Sequence, residues 1–407
     1  MNGLKLNSKN KITIMVILFL FVILAALFIA VKVIFPFESA ETAMKPARVE
    51  KQTVVNLSSA VEREPAKANV EQTENDEKTT ESTRSIDTKQ FTDESKLAFE
   101  QSEYNAQVFA SVDLKLKVNS DSILPTSIKW TLSDEKAGEL KVKNGTSAVL
   151  TINKVGKFEV TASSPSGLYA KCTVVSVSPN KHRIENVPFI SQNGQYPSGC
   201  ESISATMLLN YYNYDITPET FIDGYLHMDY LRISDDGMYV VGPDPYTAFI
   251  GTPYNEDSLG CYPPVIVDAL NKVFDETDSK NTAKDTTGMS LEELIDTYIV
   301  QDEPVLVWST MYLWSPVETD SWIVQGASEN SPYNDGDIYN WIANEHCLVL
   351  TGYDEHYYYF NDPLSYGNTV QYEKSAFNMR FEQLGKCSVA INGGVLSNKI
   401  SVKMPQE

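Results

Sequence analysis

An apolar segment near the N-terminus constrains this 407-residue chain more than any other feature of its sequence. From Ile12 to Val31 it runs without a charged side chain. A helix of that length, at about 1.5 Å per residue, spans the ~30 Å hydrocarbon core of a bilayer. Lysines precede it, and the positive-inside tendency then keeps the N-terminus cytoplasmic and places the rest of the chain outside. We therefore expect a cytoplasmic tail at 1–11 and one transmembrane signal anchor at 12–34.

A cleaved secretory signal is the alternative to an uncleaved anchor. The apolar region of such a signal is usually about 7–15 residues long and ends at a small-x-small site. The nearest sites end at Ala40 or Ala43 and place Glu38 or Glu41 where a small residue is needed. The sequence favours the anchor, and with it a protein of the cell membrane whose C-terminal domains are extracellular.

Residues 38–98 have the composition of a disordered stalk. They contain no Gly, Cys, Trp, Tyr or His, and Phe91 is their one aromatic residue. No apolar face recurs at helical spacing, so burial cannot offset the entropy of ordering this segment.

A period of two begins near residue 108, where apolar and polar residues alternate as in a half-buried strand. The pair Asn144-Gly145 is a hairpin signal between later short strands. The run of strands around Trp130, Phe158 and Cys172 resembles bacterial immunoglobulin-like domains of surface proteins. That resemblance implies a β sandwich at 104–178, in which the lone Cys172 is a buried apolar residue.

The acidic charge of the chain belongs to its C-terminal half. Residues 181–407 hold 11 basic and 33 acidic side chains, whereas 1–180 hold 22 and 21. A groove that follows nucleic-acid phosphates needs cations, so nucleic acid is not expected as a partner. An acidic groove favours peptide or protein substrates that carry Lys or Arg.

Cys200 precedes a run with apolar residues at helical spacing, which predicts a helix that begins at this cysteine. Unpaired N–H groups and the helix dipole there favour a thiolate, so the sequence predicts a lowered pKa for Cys200. The chain has four histidines, and His346 stands at the start of an apolar strand. A hairpin from this strand could bring His346 beside Asp362, whose carboxylate would orient the imidazole. The amide of Gln192 could join the Cys200 N–H around a developing oxyanion.

The segments around these residues closely resemble the C39-like cysteine peptidase family, a papain-like group related to bacteriocin-leader peptidases. The matching segments are 187–212, 260–272, 303–311 and 344–363. The resemblance covers about 185–393 and implies a C39-like domain at 183–395 with a papain-like α+β fold. It also implies Cys200 as nucleophile, His346 as general base and acid, Asp362 as the residue that orients His346, and Gln192 in the oxyanion hole.

The remaining candidates have structural interpretations. His227 and His356 are expected at the surface or in packing contacts, and Cys347 as a buried apolar residue. Cys261 and Cys387 either pair or are buried. No cofactor is expected, and a metal site is improbable because His and Cys are sparse; Asp235, Asp236 and Asp244 could hold Ca²⁺ incidentally.

Together these features predict an α+β papain-like peptidase domain preceded by an immunoglobulin-like β sandwich, a disordered stalk and one transmembrane helix. The predicted activity is peptide hydrolysis through a Cys-His-Asp triad and a thioester intermediate. A cell-wall amidase or transpeptidase with the same site is one alternative. A surface binding module without turnover is the other.

Overall fold

The computed structural model describes residues 97–119, 124–329, 331–367 and 369–405. The predicted tail at 1–11, the predicted anchor at 12–34 and most of the predicted stalk lie outside these residues. Among the residues that are described, no helix combines the length and the apolar character needed to cross a bilayer.

Two four-stranded sheets form the N-terminal part of the described chain. Their strands are β1 (Leu97–Phe99), β2 (Glu103–Gln107), β3 (Ser111–Val118), β4 (Lys129–Leu132), β5 (Gly138–Asn144), β6 (Ser147–Ile152), β7 (Gly156–Ser163) and β8 (Tyr169–Val177). One sheet has the order β1-β3-β6-β5 and the other β2-β8-β7-β4. Alternate residues of β6 are buried, as the period of two predicts. Cys172 is buried and unpaired.

The first strand begins inside the segment predicted to be a stalk. Leu97 is 1% exposed and pairs with Val118 of β3, so within the described residues this β region extends from Leu97, before the predicted start at residue 104. The boundary at residue 98 was therefore wrong. Three residues are too few for a period of two to be recognised, and the partner of β1 is distant in sequence. The immunoglobulin-like identity of this region stays a prediction.

Mixed helices and strands form the C-terminal part. The helices are α1 (Cys200–Tyr211), α2 (Pro218–Tyr225), α3 (Pro263–Glu276), α4 (Leu291–Thr297) and α5 (Lys374–Gln383). The strands are β9 (His182–Arg183), β10 (Tyr214–Asp215), β11 (Met228–Asp229), β12 (Arg232–Ile233), β13 (Val240–Gly242), β14 (Phe249–Ile250), β15 (Thr282–Asp285), β16 (Val305–Thr310), β17 (Glu318–Val324), β18 (Ile338–Ile342), β19 (Glu345–Tyr353), β20 (Tyr357–Asn361), β21 (Val370–Glu373), β22 (Ser388–Asn392) and β23 (Ile400–Ser401).

A seven-stranded sheet organises this part of the chain. Its order is β15-β22-β16-β19-β20-β21, and β9 pairs with the end of β19. Every residue of β19 and of β16 is buried, because helices or other strands cover both faces. A smaller sheet has the order β12-β13-β17-β18.

Helix α1 lies in the core against β19. It begins at Cys200, as the sequence predicts, and its residues from Cys200 to Leu209 are all buried. A helix surrounded by protein on all sides must satisfy its polar side chains internally. Ser204 does so by donating a hydrogen bond from Oγ to the Cys347 carbonyl oxygen at 3.0 Å, which ties the helix to the strand next to His346.

Candidate active site

Three of the four predicted site residues line one cleft. Gln192, Cys200 and His346 border a cavity of about 420 Å³ at the N-terminus of α1. The fourth, Asp362, lies behind His346 and contacts it directly. The fold thus gathers residues from a loop, a helix start and two neighbouring strands.

The β19–β20 hairpin brings His346 and Asp362 together. His346 is the second residue of β19, and Asp362 follows the last residue of β20. The His346 Nε2–H donates to Asp362 Oδ1 at 2.7 Å, and both side chains are buried. Because the neighbouring side chains alternate in direction, Asn361 points elsewhere and donates from Nδ2 to the Val187 and Pro188 carbonyl oxygens at 3.1 Å.

Asp362 is held as a carboxylate by its hydrogen-bond donors. Burial alone would raise its pKa, but the hydrogen bond from His346 and the charge interaction with it lower the pKa overall. The backbone N–H of Leu364 adds a hydrogen bond to Oδ1 at 2.9 Å, and the Tyr372 hydroxyl donates to Oδ2 at 3.2 Å. Two oxygens with three donors fix the carboxylate, and through it the His346 ring.

The other ring nitrogen of His346 is uncommitted. His346 is 1% exposed, and its Nδ1 has no hydrogen-bond partner among the described residues. With Nε2 donating to Asp362, the neutral ring carries its lone pair on Nδ1. This atom is therefore free to accept a proton in the cleft that it shares with Cys200.

Cys200 occupies the first position of α1 and is 5% exposed. Its Sγ donates to Glu201 Oε2 at 3.2 Å. Burial, and then the nearby Glu201 and Glu345 carboxylates, raise the pKa of Cys200 well above its ordinary value. The lowered pKa predicted from the helix terminus was therefore wrong, because the two carboxylates and the desolvation of the sulfur outweigh the helix dipole.

Gln192 and Cys200 each bring a hydrogen-bond donor to the cleft. The Gln192 side chain is 2% exposed, and its Nε2 donates one hydrogen to the Pro197 carbonyl oxygen at 3.0 Å. An amide nitrogen carries two hydrogens, so the second is available. The Cys200 backbone N–H is the other donor, because the first N–H groups of a helix have no acceptor within the helix.

The structure also brings two residues into the site that the sequence did not identify. Glu201 and Glu345 are 0% and 3% exposed. Glu201 Oε1 accepts a hydrogen bond from the Cys261 N–H at 2.7 Å, and Glu345 Oε1 lies 4.0 Å from Cys200 Sγ. Glu201 directly follows Cys200 in the sequence, and Glu345 directly precedes His346. This adjacency was the signal by which the sequence could have identified them.

Burial changes the ionisation of both glutamates. It raises the pKa of Glu201 to about 7, against the opposing hydrogen bond from the Cys261 N–H. Burial and the neighbouring Glu201 raise the pKa of Glu345 well above its ordinary value. Gly260 makes room for the pair, because a Cβ at this position would lie 2.4 Å from Glu201 Oε1 and 2.9 Å from Glu345 Oε1.

The other candidates lie outside the site. His227 and His356 are exposed, and Cys347 is buried, as predicted. All five cysteines are free and buried, so Cys261 and Cys387 do not pair. In the part of the chain that the structure describes, Cys200, Glu201 and Glu345 form a group of potential metal ligands within 4.8 Å of one another. Asp235, Asp236 and Asp244, the candidates for Ca²⁺, do not belong to this group.

Comparison with known proteins gives three matches of interest. The model of the peptidase C39-like family matches residues 184–389, just over half of the chain. The uncharacterized protein YvpB of Bacillus subtilis (strain 168) is 28% identical over 195 residues, which are 48% of this chain and 69% of YvpB. A crystal structure of a C39-like peptidase from Bacillus anthracis is 25% identical and covers 54% of this chain and 100% of its own, with a TM-score of 0.44. The family model, rather than this superposition, carries the assignment.

Proposed function

This chain belongs to the C39-like peptidase family, and from that premise we propose that it is a membrane-anchored extracellular cysteine peptidase. The observation that carries the proposal is the uncommitted Nδ1 of His346. Asp362 fixes the opposite side of the ring, and Nδ1 is left in the cleft that also contains Cys200. The Cys200 thiol donates to Glu201 and not to Nδ1, so the proposal includes a rotation of the thiol that brings its proton to Nδ1 and forms the pair of nucleophile and general base.

The raised pKa of Cys200 decides how the first step proceeds. In the resting protein the sulfur carries its proton, so His346 acts as a general base and takes this proton as the sulfur attacks the substrate carbonyl. The carbonyl oxygen becomes an oxyanion, and the second Gln192 Nε2 hydrogen and the Cys200 N–H are the donors proposed to stabilise it.

The later steps use the same residues in reverse. The His346 imidazolium, stabilised by Asp362, gives its proton to the departing amine, and a thioester remains on Cys200. Water then attacks the thioester while His346 again accepts a proton. The bond between the acyl carbon and Cys200 Sγ breaks, His346 returns the proton to the sulfur, and the acid product leaves.

The anchored and extracellular parts of the proposal rest on the sequence. The uncharged run from Ile12 to Val31 and the lysines before it support one crossing with the C-terminus outside. A protease added to intact cells is then expected to remove the region beyond residue 38. Protection of that region would overturn the orientation, and its release into the medium without protease would overturn the anchor.

Incubation of the full chain with a mixed peptide library and with cell-wall fragments, followed by mass spectrometry, tests the activity. New peptide termini are expected with the wild-type protein and with His227→Ala, which changes an exposed histidine outside the cleft. They are expected to be absent with His346→Ala. Products from the wall fragments alone would favour the amidase or transpeptidase, and binding without any product would favour the binding module.

A further inference from the structure

Three potential metal ligands surround one point beside the cleft. Cys200 Sγ and one carboxylate oxygen each from Glu201 and Glu345 all lie within 4.8 Å of one another. Each of these residues is at least nine-tenths buried. Within the described ranges, neither carboxylate forms an ion pair with a Lys or Arg side chain. The cluster therefore offers three acidic groups without a cationic partner, and a bound cation would take the place of the thiol proton, which is released to solvent.

A second observation points to a ligand at this place. Glu345 Oε2 is a buried oxygen that has no hydrogen-bond partner among the described residues. Its residue lines the cleft together with Cys200. A buried polar atom without a partner costs free energy, so this oxygen indicates that something else satisfies it.

The distances suit a small tetrahedral cation. Around Zn²⁺, with Zn–S of about 2.3 Å and Zn–O of about 2.1 Å, a sulfur and an oxygen ligand lie about 3.6 Å apart. Cys200 Sγ is 3.2 Å from Glu201 Oε2 and 4.0 Å from Glu345 Oε1. These two sulfur–oxygen separations lie on either side of the tetrahedral value, and the two carboxylate oxygens lie within 4.8 Å of each other, a separation that rotation of the carboxylates would adjust on binding.

We propose that Cys200, Glu201 and Glu345 bind one Zn²⁺-type cation, with the fourth position open to the cleft. A thiolate ligand selects Zn²⁺ over Ca²⁺ and Mg²⁺, which prefer six or more oxygen ligands. The Cys261 N–H bonded to Glu201 Oε1 orients that carboxylate from behind. On the proposed peptidase function, the bound cation occupies the sulfur that attacks the substrate, so the site is inhibitory.

Metal binding is measured directly on the full-length protein after treatment with EDTA. Co²⁺ serves as the spectroscopic probe, because a thiolate ligand gives a charge-transfer absorption band that added Zn²⁺ removes by displacement. One Co²⁺ per chain is expected, with the band present. Zn²⁺ is expected to displace it, whereas Ca²⁺ and Mg²⁺ at the same concentrations are not.

Variants identify the ligands. Cys200→Ser is expected to abolish the band, and Glu345→Gln to weaken Co²⁺ and Zn²⁺ binding by about tenfold or more. Glu256→Gln, which removes another carboxylate that lines the cleft, is the matched control and is expected to bind as the wild type does. Circular dichroism establishes that each variant is folded.

A measurement on the wild type needs no variant. Zn²⁺ is expected to protect Cys200 from a thiol alkylator, as mapped by mass spectrometry, and EDTA to remove the protection. Absence of saturable binding, a band that persists in Cys200→Ser, or unprotected Cys200 at saturating Zn²⁺ would overturn the proposal. These readouts require no turnover, so failure here leaves the peptidase proposal standing, and an inactive protein can still bind the metal.

Discussion

The carboxylate of Glu201 accepts a hydrogen bond from the thiol of Cys200, its neighbour in the chain, at 3.2 Å. A negative charge at this distance opposes ionisation of the sulfur, and Glu345 adds to the effect. The nucleophile proposed for this protein is therefore a neutral thiol in the resting state. This distinguishes it from cysteine sites in which a helix terminus and a cation maintain the thiolate.

In metal-free protein we expect Cys200 to react with iodoacetamide at pH 7 more slowly than free cysteine does. Glu201→Gln should accelerate this reaction, because removing the negative charge lowers the pKa of the thiol and increases the thiolate fraction. Peptide mapping over time measures the rate, with Glu256→Gln as the control. Cys200 should still be labelled before Cys261 and Cys347, which are 0% exposed. A slower reaction in Glu201→Gln would contradict this account.

Asp362→Ala is expected to lower kcat by about 100-fold or more, because the imidazole loses the carboxylate that orients it and stabilises its cation. Asn361→Ala is the matched neighbour, since its amide contacts the Val187 and Pro188 carbonyl oxygens and not His346. It should affect stability more than kcat. Kinetics of the two variants on one peptide make the comparison, and the opposite ranking would show that Asn361 orients the histidine.

Peptides that carry Lys or Arg are expected to be cleaved with a higher kcat/KM than acidic peptides. Glu256, Asp257 and Asp320 line the cleft, whereas its lining within the described residues contains no Lys or Arg. The preference should fall as salt rises from low concentration to about 0.5 M, because exposed charges are screened within a few ångströms there. Asp320→Asn should reduce it. Equal turnover of basic and acidic peptides at low salt would refute the preference.

Glu303 is expected to make stability depend on pH. Burial raises its pKa from 4.5 to about 7. As pH rises from about 4.5 to about 7, the unfolded chain ionises this group before the folded one does, so the free energy of unfolding decreases over that window. Urea unfolding measures the free energy of unfolding at pH 5 and at pH 8. Between these two pH values it should decrease less in Glu303→Gln than in the wild type. Glu382→Gln, at an exposed position, is the control, and its free energy of unfolding should decrease as much as that of the wild type.

Local sequence signals were sufficient for the elements that carry the site. The start of α1 at Cys200 followed from helical spacing, and the β19–β20 hairpin from two apolar runs around a short turn. The pairing of His346 with Asp362 needed only that hairpin and the family resemblance. Each of these properties is determined by residues close together in the chain.

The glutamates could not be identified in this way. A glutamate in the first turn of a helix usually lies at the surface, where it complements the helix dipole. Glu201 is buried because α1 is enclosed on all sides, which depends on strands far away in sequence. The direction of the Cys200 pKa shift depends on the same enclosure. The start of β1 was missed for a similar reason, because its pairing with β3 is the main evidence for it.

The most direct test of the account is to compare wild-type protein with Cys200→Ala on a peptide found in the library experiment. Acid quenching during turnover, followed by intact mass and peptide mapping, would trap the thioester. We expect an acyl adduct on Cys200 in the wild type, and in the folded Cys200→Ala protein neither an adduct nor hydrolysis above background. Hydrolysis by Cys200→Ala at the wild-type rate would contradict it.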